Sequence, residues 1–410
     1  MSAPKPQGML SVDEALERLL AGADAIEGIE TVATLAATGR VLAAPQASTV
    51  NVPPLDNTSM DGYAVRSADT ASGHARLRVS QRIAAGAIGR PLEAGTAARI
   101  FTGAPVPSGA DAVVMQEQTD ADGEFVVVKH APKPGEWIRR AGEDIRQGAR
   151  ILEAGAKLTP QATGLAASVG LAALPVRRRM RVAVFFTGNE LVMPGEPLPE
   201  GAIYNSNRFT LIGLLQTLGC EVTDLGIVPD SLEATRAALV KAAAGTDLVV
   251  TSGGVSVGEE DHVKAAVDAE GHLDLWKIAV KPGKPLAFGA LRRADGSSAH
   301  FIGLPGNPVS SFVTFLLFVR PFILRCQGAT DVLPPAYALR ADFDWPKPDP
   351  RREFLRAKMN AAGGLELFPN QSSGVLTSTV WGDGLVDNPP KQAIAKGDVV
   401  RFLPFSALLA

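Results

Sequence analysis

The central part of the chain alternates between short apolar runs and longer stretches whose hydrophobic residues have helical spacing. Residues 182–186 form a continuous apolar run, which is typical of a strand buried on both faces. Residues 207–218 have helical spacing, and Gly219 stands where a glycine commonly ends a helix. The alternation repeats, predicting strands at 221–228, 247–250, 275–280, 285–288 and 300–302 and helices at 232–244, 260–269 and 308–326. A doubly wound, mostly parallel α/β domain is therefore expected.

The flanking parts of the chain are dominated by short β runs. Before the centre, strands are predicted at 76–83, 96–101, 112–117 and 125–129. After the centre, strands are predicted at 337–343, 353–359, 365–368, 374–380 and 398–403. Helices are predicted after the capping box of Ser11 and Glu14, in the Ala-rich segment 31–42, and at 161–169. The expected fold class is multidomain α/β plus β, with an inserted N-terminal β domain and a small C-terminal β barrel.

These changes of pattern divide the chain into four domains. Residues 1–50 with 141–178 form an elongated N-terminal domain, into which residues 51–140 are inserted as a β domain. The α/β domain covers 179–332, and the C-terminal barrel covers 333–410. The arginine-rich run 177–181 lies at the boundary, where a charge run usually forms a solvated face.

Composition and charge exclude several classes of protein. Lys and Arg total 40 and Asp and Glu total 43, so the net charge of −3 argues against a nucleic-acid partner bound by a broad basic face. Two cysteines and five histidines argue against a disulfide framework, a zinc site with Cys ligands or an iron–sulfur cluster. The apolar run 309–319 is shorter than the ~20 residues that span a membrane, and the first residues lack an apolar segment. We therefore expect a cytoplasmic protein without a membrane-spanning helix.

Polar or glycine-rich loops follow four of the strands predicted in the α/β domain. Glu190 follows strand 182–186, and Asp230 follows strand 221–228. The loops 251–261 and 303–308 follow the strands at 247–250 and 300–302. Ligands bind at the carboxyl ends of the strands in an open parallel sheet, so the four loops are expected to form one site.

The loop 251–258 is rich in Gly, Ser and Thr and lies between a strand and a helix. The backbone of Ser252, Gly253, Gly254 and Ser256 is suited to hold a phosphate at a helix N-terminus. No Gly-Lys-Ser/Thr ends the loop, so it is not a Walker A motif. A tight glycine-rich turn without a ligand explains these residues equally well.

Three carboxylates lie at strand ends, on Glu190, Asp230 and Asp261. Clustered carboxylates without Cys or His suit a hard cation such as Mg²⁺. The alternative is that these acids stabilise helix N-termini through the helix dipole, and for Asp261 alone that alternative is strong.

Lysines are concentrated in the segment 276–285. Lys277 and Lys281 are an even number apart, so they share a strand face if the strand is regular, and a Pro-Gly turn then presents Lys284. Three lysines beside a phosphate-type loop would form an oxyanion pocket, whereas the alternative is a hairpin decorated with lysines. Arg356 and Ser373 suit a tetrahedral oxyanion too, although the pattern alone leaves them as ordinary barrel surface.

Six motifs in a fixed order make the chain resemble the MoeA-type molybdopterin molybdenumtransferases, the family that includes the E domain of gephyrin. They begin at residues 57, 101, 187, 251, 281 and 303 and read NTSMDGYA, FTGA, TGNEL, TSGGVSVG, KPGKP and GLPGNPVS. Each motif alone is moderately specific, and the six together span essentially the whole chain. The resemblance implies a four-domain, L-shaped subunit that forms a homodimer with a site shared between subunits.

The same resemblance implies the reaction and its participants. Molybdate would be inserted into the dithiolene of adenylylated molybdopterin, and Mg²⁺ would assist cleavage of the adenylyl pyrophosphate with release of AMP. A molybdopterin adenylyltransferase is the expected transient partner, because that class of enzyme makes the adenylylated substrate.

Motif by motif, the resemblance also implies residue roles. The molybdate site would contain Lys281, Lys284, Ser310, Arg356 and Ser373. The Mg²⁺ and pyrophosphate site would contain Glu190, Asp230 and Asp261, with Lys277 nearby. Pro305 and Pro308 would shape their loop, and Asp61 and Thr102 would complete the site from the partner subunit.

Two positions depart from the family pattern, and two other functions compete with the transferase. Asn189 stands where the family often has Asp, and Ser372 stands where it often has Gly. A molybdopterin adenylyltransferase shares a Thr-Ser-Gly-Gly loop, but it commonly continues with Thr-Gly rather than Val255-Ser256 and lacks the long terminal arms. A scaffold that had kept the fold without the activity would not need the full set of Lys, Arg, Asp and Glu residues.

Overall fold

The structure, a computed structural model, describes residues 9–254, 262–283 and 285–409, without the side chains of residues 275 and 285. These residues contain three six-stranded sheets and four two-stranded ones. The expected fold class, multidomain α/β plus β, is confirmed by this combination of sheets and helices.

The central sheet carries the largest core of the molecule. Its strands lie in the order Glu221–Val228, Arg181–Thr187, Leu248–Ser252, Ser298–Leu304, Pro285–Arg292 and Gly271–Lys277. The first four are parallel, and the last two pair in antiparallel fashion at one edge. Alternate side chains of a strand point to opposite faces, so Val184 packs into one hydrophobic core and Phe185 into the other.

Helices cover both faces of this sheet, which makes it doubly wound. Leu211 of helix Ser206–Thr217 packs into the first core, together with the apolar residues of the segment Pro308–Cys326. Leu239 of helix Leu232–Ala243 and Val263 of helix His262–Glu270 pack into the second. The predicted alternation of strands and helices is therefore confirmed within the described residues.

The long apolar helix is interrupted by one wide turn. It runs as an α helix over Pro308–Thr314, widens to a π helix over Phe315–Val319 and continues as an α helix over Arg320–Cys326. Pro321 explains the wide turn, because its ring lacks an N–H and would clash with the carbonyl of residue 317 in a regular helix. Pro308–Cys326 is long and apolar enough to cross a membrane, but 89% of its most apolar stretch is buried inside the protein, as in a core helix.

The N-terminal segment contributes to the α/β core. Helix Val12–Ala21 begins at the predicted capping box, where Ser11 Oγ accepts from the N–H of Glu14 at 3.2 Å. The Glu14 carboxylate accepts in return from the N–H of Ser11 at 2.8 Å. Leu19 of this helix is buried in the same core as Val182.

The prediction of a helix at 31–42 is wrong. The segment contains the strand Ile29–Ala33, which pairs with Ala173–Arg177, and a 3-10 turn over Thr34–Ala36. Thr31 and Val32 are β-branched and favour a strand, and the pairing lets Leu42 pack with Leu174 in a small separate core. The helix predicted at 161–169 is confirmed over Pro160–Ser168.

Residues 62–128 contain the inserted β sheet. Its strands lie in the order Ala112–Met115, Gly62–Val65, Thr96–Ile100, Ala75–Ile83, Phe125–Val128 and Thr119–Asp122. The strand predicted at 112–117 ends at Met115, because Gln116–Gln118 forms a 3-10 turn. Buried residues form a separate cluster on each face of this sheet, which therefore has its own hydrophobic packing.

The C-terminal strands form a small barrel. The short strand Val280–Lys281, from the central part of the chain, joins them. The order is Val280–Lys281, Arg352–Met359, Gly384–Asn388, Val399–Pro404 and Tyr337–Arg340, and Leu365–Leu367 pairs with Arg352–Met359. A bridge between Ala341 and Leu365 connects the first C-terminal strand to that additional strand and closes the barrel. The prediction of a strand at 374–380 is wrong, because this segment enters helix Thr377–Trp381. The helix is favoured because Ser378 is buried against Arg356 and Trp381 packs on Phe368.

Candidate active site

A cavity of about 900 Å³ opens at the carboxyl ends of the parallel strands. Its walls include the loops after strands Arg181–Thr187, Glu221–Val228, Leu248–Ser252 and Ser298–Leu304, as the sheet rule predicts. Residues of the C-terminal barrel form a further part of the wall. The predicted site residues that line it are Glu190, Asp230, Ser252, Gly253, Gly254, Pro305, Pro308, Ser310 and Ser373.

The glycine loop after strand Leu248–Ser252 passes very close to the neighbouring strand. Gly253 has a φ of +98°, and a Cβ built on it would lie 2.7 Å from the carbonyl oxygen of Thr187. Only glycine fits both the left-handed backbone and this close approach. The turn geometry alone therefore requires Gly253, while its place on the cavity wall keeps the backbone accessible to a ligand.

The side-chain amide of Asn207 joins two loops of the cavity. Its Nδ2 donates to Ser252 Oγ at 2.9 Å and to the carbonyl of Gly306 at 2.7 Å. Ser252 Oγ in turn donates to the carbonyl of Pro305 at 3.0 Å. The glycine loop and the Pro-Gly loop are thus fixed relative to one another through one side chain at the start of helix Ser206–Thr217.

Two of the three predicted metal ligands line the cavity. The carboxylate of Glu190 folds over Gly188, where a Cβ would lie 2.6 Å from Glu190 Oε2. Asp230 lines the same cavity from the neighbouring strand, and Asp261 lies outside the described residues. No group of three or more His, Cys, Asp or Glu side chains that could hold a metal occurs within the described part of the chain.

The described residues nevertheless suit Mg²⁺. This ion commonly takes one or two carboxylates from a protein and completes its octahedral shell with water and substrate phosphates. Glu190 and Asp230 supply that number of carboxylates from two adjacent strand ends.

The expectation that Lys277 and Lys281 share a strand face is wrong. Lys277 ends a strand of the central sheet, whereas Val280–Lys281 pairs with Arg352–Glu353 in the barrel sheet. The chain leaves the central sheet because Leu10 accepts a bond from Ala279 N and donates one to the Lys277 carbonyl, at 2.7 and 2.8 Å. The lysines therefore belong to two different sheets, and the strand predicted at 275–280 is interrupted.

Lys281 is held between two carboxylates of the barrel. Its Nζ lies 3.0 Å from Glu353 Oε1 and 3.3 Å from Asp349 Oδ2. Glu353 is fully buried, and its other oxygen accepts a bond from the indole N–H of Trp345 at 2.8 Å. The lysine is thus tied to the barrel and does not belong to the described lining of the cavity. Lys284 lies outside the described residues.

Arg356 and Ser373 differ in their access to the cavity. Arg356 is 1% exposed, and its guanidinium donates to Ser378 Oγ, the Ser372 carbonyl and the Phe354 carbonyl at 3.1, 3.2 and 3.3 Å. Burial without a carboxylate partner among these contacts lowers the pKa of Arg356 to about 10. Ser373 lines the cavity, and its carbonyl accepts from Val309 N at 3.0 Å, which joins the barrel to the long helix.

Asp61 and Thr102 lie together but away from this cavity. The Asp61 carboxylate accepts bonds from the N–H and the hydroxyl of Thr102, both at 2.7 Å. These two donors hold the pKa of Asp61 below its usual value. Neither residue is among the described residues lining the cavity, since both belong to the inserted β unit.

The remaining predicted residues are distributed as follows. Lys277 is exposed and does not belong to the described lining of the cavity. Ser256 lies outside the described residues, like Asp261 and Lys284.

Several residues of the cavity wall were not predicted as site residues, among them Asn207, Tyr204 and Arg351. Asn207 could have been found, because it lies in the first turn of the helix that follows strand Arg181–Thr187. Tyr204, whose hydroxyl donates to the Glu196 carbonyl at 3.1 Å, lies in the same connection. No sequence pattern distinguishes Arg351, because an arginine next to Arg352 is typical of an exposed barrel surface.

Three family models match the chain in succession. The MoeA N-terminal region, domains I and II, matches residues 10–170, and a probable molybdopterin binding domain matches residues 183–325. The MoeA C-terminal region, domain IV, matches residues 338–405.

Curated relatives match over most of their own length. A molybdopterin molybdenumtransferase of Haemophilus influenzae is 39% identical, covering 98% of this chain and 100% of that protein. Molybdopterin molybdenumtransferase 2 of Mycobacterium tuberculosis is 37% identical, covering 88% of this chain and 90% of that protein.

Solved structures show the same architecture along the whole chain. A crystal structure of the molybdopterin biosynthesis MoeA protein of Pyrococcus horikoshii matches with a TM-score of 0.83 at 27% identity, covering 97% of this chain and 100% of that one. A second structure of the protein from this organism matches with a TM-score of 0.77 at 31% identity, covering 97% and 99%.

Proposed function

The chain belongs to the family of MoeA-type molybdopterin molybdenumtransferases, and from that premise we propose that its cavity binds adenylylated molybdopterin together with molybdate. It is a transferase of molybdenum cofactor biosynthesis that inserts molybdenum. The observation that carries the proposal is the convergence of four strand-end loops and the C-terminal barrel on one cavity of about 900 Å³. That volume lies in the upper range for pockets that enclose a small-molecule ligand, as a pterin joined to a nucleotide requires.

The glycine loop would hold the phosphates of the pterin substrate. Ser252, Gly253 and Gly254 line the cavity, and Gly253 is kept in its left-handed conformation close to Thr187. Backbone N–H groups in such a turn can donate to phosphate oxygens without adding charge. Pro305 and Pro308 line the cavity beside them and shape the second loop, which Asn207 fixes to the first.

The wall formed by the start of the long helix and the barrel would take molybdate. Ser310 and Ser373 line it with hydroxyl groups. Lys281 lies outside the described lining, in a barrel strand paired with Arg352–Glu353, and is proposed from the motif match. Lys284 and Arg356 are proposed for the same oxyanion from the motif match. Hydroxyl and cationic N–H donors replace the hydration shell of a tetrahedral dianion, which has four acceptor oxygens.

Glu190 and Asp230, with Asp261 as a third ligand, are proposed to hold Mg²⁺ against the pyrophosphate. Bound there, Mg²⁺ would neutralise charge on the pyrophosphate oxygens during cleavage. The carboxylate of Glu190 lies over Gly188 at the end of the first parallel strand, exposed to the cavity. Lys277 is proposed to lie near the phosphates, and AMP is the proposed leaving product.

A second subunit is proposed to complete the site. Asp61 and Thr102 are bonded to each other on the inserted sheet, outside the described cavity lining of their own subunit. In a homodimer, the partner subunit's Asp61 and the partner subunit's Thr102 would face the cavity. A carboxylate that accepts two bonds from one residue has a fixed orientation, which suits a positioned group of a shared site.

The reaction gives the decisive experiment. The purified protein is incubated with adenylylated molybdopterin and molybdate, with and without Mg²⁺, and molybdenum cofactor and AMP are quantified together. Equal amounts of both products that depend on Mg²⁺ and molybdate support the proposal. The proposal fails if AMP appears without molybdenum insertion, or if the protein instead consumes ATP and molybdopterin as an adenylyltransferase does.

The proposed setting is the cytoplasm, where a molybdopterin adenylyltransferase would hand over the adenylylated intermediate. Cross-linking of the two purified proteins in the presence of substrate tests this contact. Adenylylated molybdopterin that passes to this protein despite an added scavenger of free intermediate supports direct transfer, and complete interception by the scavenger contradicts it.

A further inference from the structure

Two arginines of the inserted sheet stand in one row and have no role in the site assigned above. Arg82 is the register partner of Arg99 in the neighbouring strand, and Arg99 is in turn the register partner of Tyr63 in the next strand. Residues that pair directly in adjacent strands point to the same face of a sheet, so the three side chains share one face. The row therefore places two guanidinium groups next to one another near the end of strand Thr96–Ile100.

Aromatic rings support both guanidinium groups. Cζ of Arg82 lies 4.5 Å from the centre of the Phe101 ring, and Cζ of Arg99 lies 4.7 Å from the same centre. Arg99 also lies 5.2 Å from the centre of the Tyr63 ring. A guanidinium that is stacked on an aromatic ring keeps the N–H groups at its edge available for an oxyanion. The sheet thus orients these donors before any ligand arrives.

Neither arginine is neutralised by a carboxylate within the described part of the chain. Arg99 donates to the carbonyl of Gly62 at 3.1 Å and to Oε1 of Gln116 at 2.7 Å, and both acceptors are uncharged. Arg82 is exposed and has no hydrogen bond or ion pair with another described residue. Two positive charges are therefore left for an anionic ligand, and the N–H groups of Arg82 are left to bind it.

The row adjoins the carboxylate of Asp61. Asp61 lies two residues before Tyr63, and its backbone carbonyl accepts a bond from Gln116 N at 3.1 Å. The side chain of the same Gln116 holds Arg99. Thr102 bonds only to Oδ1 of Asp61, and these two bonds, followed by the charge of Arg99, lower the pKa of the carboxyl group. An ionised carboxylate with a free oxygen can accept from the hydroxyls of a ribose, as in dinucleotide-binding proteins.

A phosphate next to a pair of sugar hydroxyls is the combination that a nucleotide offers. We propose that this face of the inserted sheet binds the adenylyl half of the substrate, with Arg82 and Arg99 donating to its phosphate and Asp61 accepting from its ribose hydroxyls. This inference rests on the proposed function, since adenylylated molybdopterin is the nucleotide in question. In the proposed homodimer, the sheet of one subunit would hold the AMP that leaves, while the glycine loop of the other holds the pterin half.

Binding of AMP to the full-length protein, measured by titration calorimetry without molybdate or Mg²⁺, tests the inference without turnover. The variant is Arg82→Gln, and the matched control is Arg76→Gln. Arg76 lies on the same strand and stacks on Phe125 at 3.6 Å, but Asp122 neutralises it at 2.7 Å. We expect Arg82→Gln to raise the AMP dissociation constant by about tenfold or more, as loss of a charge-assisted hydrogen bond does. Arg76→Gln should stay within about twofold of the wild type, as most surface substitutions do.

Two analogues of AMP identify the groups that each residue contacts. Adenosine lacks the phosphate, so it should bind equally well to the wild type and to Arg82→Gln. The 2′,3′-dideoxy analogue of AMP lacks both ribose hydroxyls, so the wild type should prefer AMP to it. This preference should be lost in Asp61→Ala, whose carboxylate is gone.

Three results would overturn the inference. They are an unchanged AMP dissociation constant in Arg82→Gln, an equal loss of AMP and adenosine affinity in that variant, and no binding of AMP to the wild type. If Arg82→Gln weakens AMP binding as expected but the wild type makes no molybdenum cofactor, the inference stands and the proposed function fails. If the wild type makes the cofactor and Arg82→Gln binds AMP as the wild type does, only the inference fails.

Discussion

The carboxylate of Asp61 accepts two hydrogen bonds from Thr102, one from its backbone N–H and one from its hydroxyl, each 2.7 Å long. Both donors point to one oxygen, Oδ1, so the other oxygen is left for a contact outside the pair. The pair is exposed on the inserted sheet, which fits a role toward a second molecule better than a role in packing.

Mixing two inactive variants tests whether the site is shared between subunits. Asp61→Ala and Glu190→Ala should each abolish turnover in a homodimer while the circular dichroism spectrum stays unchanged. If the partner subunit supplies Asp61, a mixed dimer has one intact site and one doubly defective site. Random mixing should then restore about a quarter of the wild-type activity, because half of the dimers are mixed and each has one of two sites intact. Sites contained within one subunit would give no recovery.

Removal of the Asn207 amide should loosen the two loops that it joins. Asn207→Ala loses the bonds to Ser252 and Gly306, so we expect kcat/KM to fall by about tenfold to a hundredfold, corresponding to one or two lost hydrogen bonds. The melting temperature should change little, since Asn207 lies at the surface of the cavity. The control is Asn360→Ala, which loses a bond to Asp342 in the barrel but lies outside the described cavity lining. Equal losses of activity in the two variants would contradict the prediction.

Acid should unfold the protein partly through Asp247. Burial disfavours the charged carboxylate, but the Arg178 guanidinium and the N–H of Arg181 outweigh it and hold the pKa of Asp247 below its ordinary value of 3.8. A pKa that is lowered by folding stabilises the protein above pH 3.8, and this contribution is lost as the pH falls through the folded-state pKa.

We therefore expect Asp247→Asn to lower the free energy of unfolding at pH 7 by about 1–3 kcal/mol. The difference from the wild type should shrink as the pH falls below 3.8. Urea unfolding at a series of pH values measures both effects. Asp331→Asn, which removes an exposed carboxylate, is the control and should leave the curve nearly unchanged. A constant difference between Asp247→Asn and the wild type at all pH values would contradict this assignment.

The two thiols should be unreactive in the folded protein. Burial raises the pKa of both Cys220 and Cys326 to about 12, so the reactive thiolate is almost absent at pH 8. Ellman's reagent should react slowly with the native protein. After unfolding in guanidinium chloride, it should titrate both thiols, Cys220 and Cys326. Rapid labelling of the native protein would show that these residues are accessible. Sulfur ligation of molybdenum is thus expected to come from the dithiolene of the substrate.

The sequence pattern was sufficient to predict the central sheet and the edge at which its loops meet. Continuous apolar strands alternate with helices there, and this pattern has few other solutions. The positions of Glu190, Asp230 and Gly253 on one cavity follow from that topology alone. The helix prediction for segment 31–42 fails because the strand it pairs with, Ala173–Arg177, lies far along the chain and no local signal reports the pairing.

The barrel wall of the cavity could not be predicted in the same way. Lys281 lies in a different sheet from Lys277, because Leu10, from the N-terminal part of the sequence, forms hydrogen bonds with Lys277 and Ala279 in the connection between them. Whether Arg351 or Arg356 faces the cavity depends on how the barrel packs on the long helix, which residue spacing within one strand does not report. Tertiary contacts of high sequence separation thus decide which barrel residues line the cavity.

The pairing of Val280–Lys281 with the barrel also bears on how the protein folds during translation. Lys281 and its partner Glu353 are 72 residues apart, and the barrel strands that surround Glu353 are translated after the central sheet. During synthesis the central sheet emerges well before the wall that faces it. A nascent chain therefore carries the strand-end loops in an open groove until the barrel strands have been translated. Completion of the cavity is thereby coupled to synthesis of the barrel.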